Sequence, residues 1–277
     1  MNSLSDFKNF TDHLPYQEKL MPVLFVGHGS PMNGIEENEF SDRWTELAKQ
    51  IEKPKAVLVV SAHWFTKGTR IKAMEFPPTI HDFGGFPQAL FQVQYPAPGN
   101  PALAAETAGL IHTANAVLDH DWGLDHGTWT VVRHMYPNAE IPVLQLSIDY
   151  TKPASFHYEL AKELVDLRKK GVLIMGSGNM VHNLRMIAWD KMATPGFGFD
   201  WALHMNDTFK TLINQRNHQG LINYEKLGKE ALLAIPTPEH YLPLIYSLGL
   251  TNEKDAIHYF NDRAVAGSLT MTSVQFG

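Results

Sequence analysis

The sequence contains no cysteine. Disulfides, thiolate zinc sites, iron–sulfur clusters and cysteine nucleophiles are therefore all excluded. It also lacks any run of about 18 apolar residues, so no membrane-spanning helix is expected. The opening stretch, MNSLSDFKNFTDHLPYQEKL, has no apolar segment of the kind a secretory signal needs. It reads as an N-terminal arm, residues 1–20, ahead of one domain covering residues 21–277, and a cytoplasmic location is the default expectation. No basic stripe appears, and the net charge is −6. Nucleic acid and anionic membrane surfaces are unsuited partners for such a chain. No heptad pattern is present either, which leaves a monomer or a small homo-oligomer.

What is present is a normal apolar share, 44% of 277 residues. That is enough to bury the core of one large α/β domain. There are also 14 histidines. Without thiolates, a transition metal would have to be held by imidazole and carboxylate.

Short apolar runs alternate with helical patterns. Met21 to Val26, Ala56 to Val60, Pro142 to Ile148 and Val172 to Met175 are apolar at successive positions. Such runs fit strands of a parallel sheet covered on both faces. Between them, 37–51, 101–113 and 128–135 read as helices. Phe156, Leu160, Leu164 and Leu167 mark one apolar helical stripe closed by Lys169-Lys170-Gly171. Later helices are expected over 201–214 and 240–248, and a final edge strand over 268–274. The predicted fold is a single α/β domain with a mostly parallel central sheet and helices on both faces. The stretch 75–100 is an exception. Its five prolines and three glycines make it a long irregular excursion, a length usually kept for lids and binding loops.

In open parallel sheets, ligands bind beyond the carboxyl ends of the strands. His28, in Gly-His-Gly-Ser-Pro, His63, in Ser-Ala-His-Trp, and His182, in Gly-Ser-Gly-Asn-Met-Val-His-Asn, fall at or just after three such ends. A lone histidine in such a loop is more often a cap or a polar filler. Three of them together carry more weight, because strand ends converge in space. Gly176-Ser177-Gly178 invites a dinucleotide-loop reading, but the third glycine position would be Val181, where that motif needs a small residue. His240, beside Glu239 in a proline-stiffened Pro-Thr-Pro-Glu-His, is a further ligand candidate or a plain surface turn. His126 precedes a helix that Asp125 or Thr128 would cap, and suits acid/base work. His81, in His-Asp-Phe-Gly-Gly-Phe, lies in the excursion, where Phe83, Phe86 and Phe91 suit a flap over an aromatic ligand.

Together the segments GHGSPM (27–32), SAHW (61–64), PPTIHDFGGFP (77–87), YPAPG (95–99), DHGTW (125–129), GSGNMVHNL (176–184) and PTPEHYLPL (236–244) resemble bacterial members of the DOPA-type extradiol dioxygenase family. That family lies within the superfamily of the protocatechuate 4,5-dioxygenase catalytic subunit. The resemblance implies a metal-dependent enzyme that opens a catechol with O₂ beside the diol. The expected substrate is L-DOPA, cleaved at the 4,5 bond to a muconate semialdehyde. It implies one divalent ion, Fe(II) for activity, held by His28, His63 and His240. His182 would be the base, close enough to ligate the ion when no substrate is bound, and His126 a second acid/base group. The sequence departs from the common two-histidine, one-carboxylate iron site. Three histidines also suit Zn(II), so a zinc-bound resting form and a zinc-dependent hydrolase remain open beside the dioxygenase. Arg185 is a candidate partner for a substrate carboxylate.

Overall fold

In the computed structural model of the protein, residues 19–277 are described. The expected arm, apart from its last two residues, lies outside them. Four apolar runs form the centre of the sheet: β1 (Val23–Gly27), β2 (Ala56–Thr66), β5 (Val143–Asp149) and β6 (Val172–Gly178). They lie in the order β5-β2-β6-β1 and pair in parallel throughout. Short strands extend both sides: β3 (Arg70–Lys72) and β4 (Val117–Asp119) beyond β5, and β10 (Ser273–Phe276) and β7 (Ile257–Phe260) beyond β1. The additions joining β5 to β3, β1 to β10 and β10 to β7 are antiparallel.

Alternate residues of each central strand serve opposite faces. Val23, Phe25, Leu58, Val60 and Ile174 enter one core, with Leu160, Met205 and Leu244 from the helices Ala154–Lys162, Asp200–Asn214 and Leu242–Gly249. Leu24, Val26, Val57, Val59 and Met175 enter the other, with Trp44 and Trp129 from Glu39–Gln50 and His126–Met135. The strands must therefore be apolar on both sides, which is why their sequences show no alternation. A buried ion pair locks the end opposite the site. Arg168, fully buried, holds Asp255 through two bonds of 2.7 and 2.9 Å and also donates to the carbonyls of Met21 and Leu250.

Three expectations need correction. The 268–274 stretch is not an edge strand. It divides into β9 (Leu269–Thr270), which forms a small hairpin with β8 (Ala264–Val265), and β10, which is enclosed between β1 and β7. The Phe156–Leu167 stripe is not one helix, because the chain breaks between Ala154–Lys162 and Asp166–Lys169. All of its leucines still reach the core, so the apolar spacing survives the break. β2 does not stop at Ser61 but continues to Thr66. Its pairing with β6 ends at Ser61, and its register with β5 slips between Val60 and Phe65. His63 lies in that irregularity, which a bulge-like slip re-aims toward the carboxyl edge of the sheet. Among the described residues no helix is long and apolar enough to cross a membrane.

Candidate metal centre

β1, β2 and β6 deliver their ends to one edge of the sheet, and the helix His126–Met135 starts at the same edge. Two glycines permit the close packing there. A side chain at Gly178 would strike the carbonyl of His240, which instead accepts the N–H of Asn179 at 2.9 Å. At Gly127 a Cβ would stand 2.6 Å from Ser61 Oγ and 2.9 Å from the ring of His63. Gly176 likewise faces the backbone of Pro243, so the Gly-Ser-Gly pattern serves strand–helix contact rather than a phosphate loop.

His28, His63 and His240 each offer a ring nitrogen to one point, with the three nitrogens all within 4.8 Å of one another. The Nε2 atoms of His28 and His63 stand 3.1 Å apart. Hydrogen bonds at His28 and His240, and the charge of a carboxylate beside His63, decide which nitrogens carry protons. Ser177 Oγ donates to the carbonyl of Gly127 at 2.5 Å and so can only accept from His28 Nδ1, 3.0 Å away. Nδ1 of His63 faces a carboxylate oxygen of Asp82 at 3.3 Å, and Nδ1 of His240 faces Glu239 at 3.4 Å. A carboxylate has no hydrogen to give, so each Nδ1 carries the proton and each Nε2 is a bare lone pair. Two lone pairs at 3.1 Å repel unless a cation draws them in. Nitrogens about 2.0–2.1 Å from a shared ion stand roughly 3.0–3.4 Å apart, so the donor set fits a divalent metal.

Electrostatics point the same way. Burial, reinforced by neighbouring imidazoles, holds His28 and His240 well below the usual histidine range. His63 is pushed down to about 3 by burial and by His126, against the pull of Asp82. His182 is pushed down to about 4 by burial, against the pull of Glu239. These rings are neutral at neutral pH, the form that binds metal.

His182 sits beside the trio rather than in it. Its ring stacks on that of His240, 3.6 Å between centres and nearly parallel, and its backbone N–H is held by the carbonyl of Ala234. It groups with Glu239 and His240. His126, 5% exposed, opens its helix 3.8 Å ring to ring from His63. Its Nδ1 donates to Asp82 at 2.9 Å, which leaves Nε2 as the nitrogen available to a substrate. Asp125, fully buried, caps the helix through Thr128 N–H and receives Ser61 Oγ, the Gln145 amide and the Trp122 indole. Burial and the charge of Asp82 push its carboxyl up, while the Ser61 and Gln145 bonds pull it down.

Sequence reasoning missed Asp82 and Ser177. His81 drew attention in the excursion, yet its Nε2 meets the carbonyl of Val93 and its ring packs among Phe83, Phe91 and Trp129. The adjacent Asp82 is the residue that enters the site. Nothing in residue type or spacing distinguishes it. Phe83 places its ring edge-on to His126 at 5.4 Å and packs against Phe86 and Phe91. The excursion is pinned to the body by Ile80 N–H to Leu124 and by Trp129 Nε1 to Ile80. Arg185 is exposed. Cavities of about 370 and 420 Å³, around Tyr224 and Lys67 respectively, include none of these histidines.

Comparison with known proteins agrees with the geometry. Residues 22–272 match the family model described as the catalytic LigB subunit of aromatic ring-opening dioxygenase. The 4,5-DOPA dioxygenase extradiol of Escherichia coli (strain K12) is 47% identical over 262 residues, 93% of this chain and 95% of that protein. The 4,5-DOPA dioxygenase extradiol of Beta vulgaris is 32% identical over 94% of this chain and 98% of its own. A crystal structure of an uncharacterized Escherichia coli K12 protein superposes with a TM-score of 0.78 at 40% identity, covering 93% of this chain and all of that one. With the match spanning almost every element that carries the histidines, the chain belongs to the LigB family of aromatic ring-opening dioxygenases.

Proposed function

We propose that the protein is an extradiol dioxygenase that opens a catechol ring beside its diol, with L-DOPA as the substrate to try first. One observation carries this reading. His28 and His63 turn bare Nε2 atoms on one another at 3.1 Å, and His240 supplies a third nitrogen. His28, His63 and His240 would hold the metal, Fe(II) in the active enzyme. When bound, the ion supplies the Lewis acidity and the one-electron chemistry that ring opening with O₂ requires.

The chain's own residues manage protons and water. His182, neutral at rest, would take a proton from a catechol hydroxyl, which makes it a base rather than a standing ligand. His126, its Nδ1–H committed to Asp82, would work through Nε2, taking up a proton there and returning it to the oxygen at the opened bond. Phe83, edge-on to His126, would lie along the catechol ring and keep water from that side. The 47% identity to a protein named 4,5-DOPA dioxygenase extradiol supports L-DOPA.

The test loads metal-free protein with Fe(II) and adds a panel of catechols in air. Oxygen uptake with a yellow semialdehyde product is expected for L-DOPA, and no uptake with any catechol removes the reading. His182→Ala should lower kcat by about 10²–10⁴ while metal affinity is kept. A set of three imidazoles also favours zinc. The second reading, a zinc hydrolase on the same site, predicts turnover of an amide or ester substrate without oxygen and indifference to catechols.

A further inference from the structure

Asp82 is a carboxylate that reaches both a proposed metal ligand, His63, and the acid/base candidate His126. Its Oδ2 accepts Nδ1–H of His126 at 2.9 Å and stands 3.3 Å from Nδ1 of His63. Its Oδ1 accepts the backbone N–H of His126 at 2.9 Å, one of the donors a helix start leaves without an internal partner. The side chain is 15% exposed, so water competes little for these bonds. Asp82 is carried by the 75–100 excursion, whereas His63 belongs to β2 and His126 to the helix behind it. A single side chain thus joins the excursion to a ligand of the proposed metal and to the proposed proton donor.

We propose that Asp82 is a positioning residue that fixes the tautomers of His63 and His126 together. With an ionised carboxylate against both Nδ1 atoms, both protons stay on Nδ1 and both Nε2 lone pairs face the site. Docking the excursion and arming the two imidazoles are then one event. Until Asp82 arrives, His63 is free to place its proton on the nitrogen that must bind the metal.

Asp82→Asn isolates this role. The amide oxygen can still accept the His126 backbone N–H, so the helix start and the excursion keep their anchor. The NH₂ group, however, now aims a donor at Nδ1 of His126 and takes the negative charge away from Nδ1 of His63. That drives the His126 proton onto Nε2, removing its acceptor, and frees the His63 proton to move to Nε2, where it blocks the ligand lone pair. Losing such a partner typically costs about 10–100-fold in metal affinity. An Asp→Asn change that sets the wrong histidine tautomer costs on the order of 10⁴ in kcat in a serine protease triad.

The metal arm is independent of the dioxygenase reading. Co(II) affinity and the cobalt visible spectrum are measured for the parent, Asp82→Asn and Asp82→Glu. The expected result is about 10–100-fold weaker binding and an altered spectrum for Asn, with most of the loss recovered by Glu. The activity arm rests on the dioxygenase reading. There kcat on L-DOPA should fall while KM moves little, and Glu should again recover part of the loss. Histidine ¹⁵N NMR of the metal-free parent at pH 8 tests the proposal without any variant and should find His63 and His126 as Nδ1–H tautomers. Nε2–H tautomers, or Co(II) binding by Asp82→Asn equal to the parent's, would overturn the assignment. If the parent itself cleaves no catechol, the dioxygenase reading fails while the cobalt and NMR results still decide the role of Asp82.

Discussion

Ser177→Ala removes one oxygen atom from β6 and tests the wiring of the proposed metal centre. In the parent, Ser177 Oγ accepts from His28 Nδ1 and donates to the Gly127 carbonyl. All of these groups are buried, with His28 1% and Ser177 0% exposed. Alanine leaves the imidazole N–H without a partner, while the Gly127 carbonyl, inside the helix His126–Met135, loses only its second donor. An unsatisfied buried polar group costs about 1–3 kcal/mol, and the metal-free protein should lose stability on that scale. The second effect is specific to the site. Freed from Ser177, His28 can move its proton to Nε2, and metal affinity should fall by about 10–100-fold, or roughly 1.4–2.7 kcal/mol. Ser147→Ala is the control. Ser147 is equally buried, on neighbouring β5, and accepts from Thr66 and from the N–H of Arg70, away from the histidines. It should cost stability but leave metal affinity alone. Urea unfolding in chelator reads the first effect, and zinc competition against a chromophoric chelator reads the second. Equal zinc affinity in the two variants would refute the tautomer argument.

Two further expectations concern stability. His63 and His182 have folded pKa values of about 3 and about 4, below the roughly 6.5 of an unfolded chain. The unfolded state therefore binds more protons across that window, and stability falls as pH drops from 6.5 toward 4. At pH 5 each ring contributes a loss of about 2 kcal/mol in the metal-free protein. Urea midpoints at pH 7, 6 and 5 in chelator check this, and a higher midpoint at pH 5 than at pH 7 would contradict it. Asp255→Ala would strand the fully buried Arg168 guanidinium and should cost about 3–5 kcal/mol. A loss under about 1 kcal/mol in calorimetry or urea unfolding would show that the pair is dispensable.

Much of this molecule could be read from its residues. Apolar runs such as Ala56–Val60 and Val172–Met175 become parallel strands because both faces of the sheet are covered, and burial on both sides leaves one pattern in the sequence. The absence of cysteine limited any metal site to imidazole and carboxylate. Placing His28 and His182 after strand ends directed attention to the edge of the sheet where the histidines cluster. What tertiary structure alone decided is which nitrogens meet. His63 depends on a slipped register inside β2, and His240 arrives on a distant loop against Gly178. Asp82, 44 residues from His126 in the chain, shows no local sign of its contacts. A hydrogen bond between distant segments leaves no periodicity in either one. Local sequence records which face a residue serves, and only the folded chain sets the partner that fixes a proton on one nitrogen rather than the other.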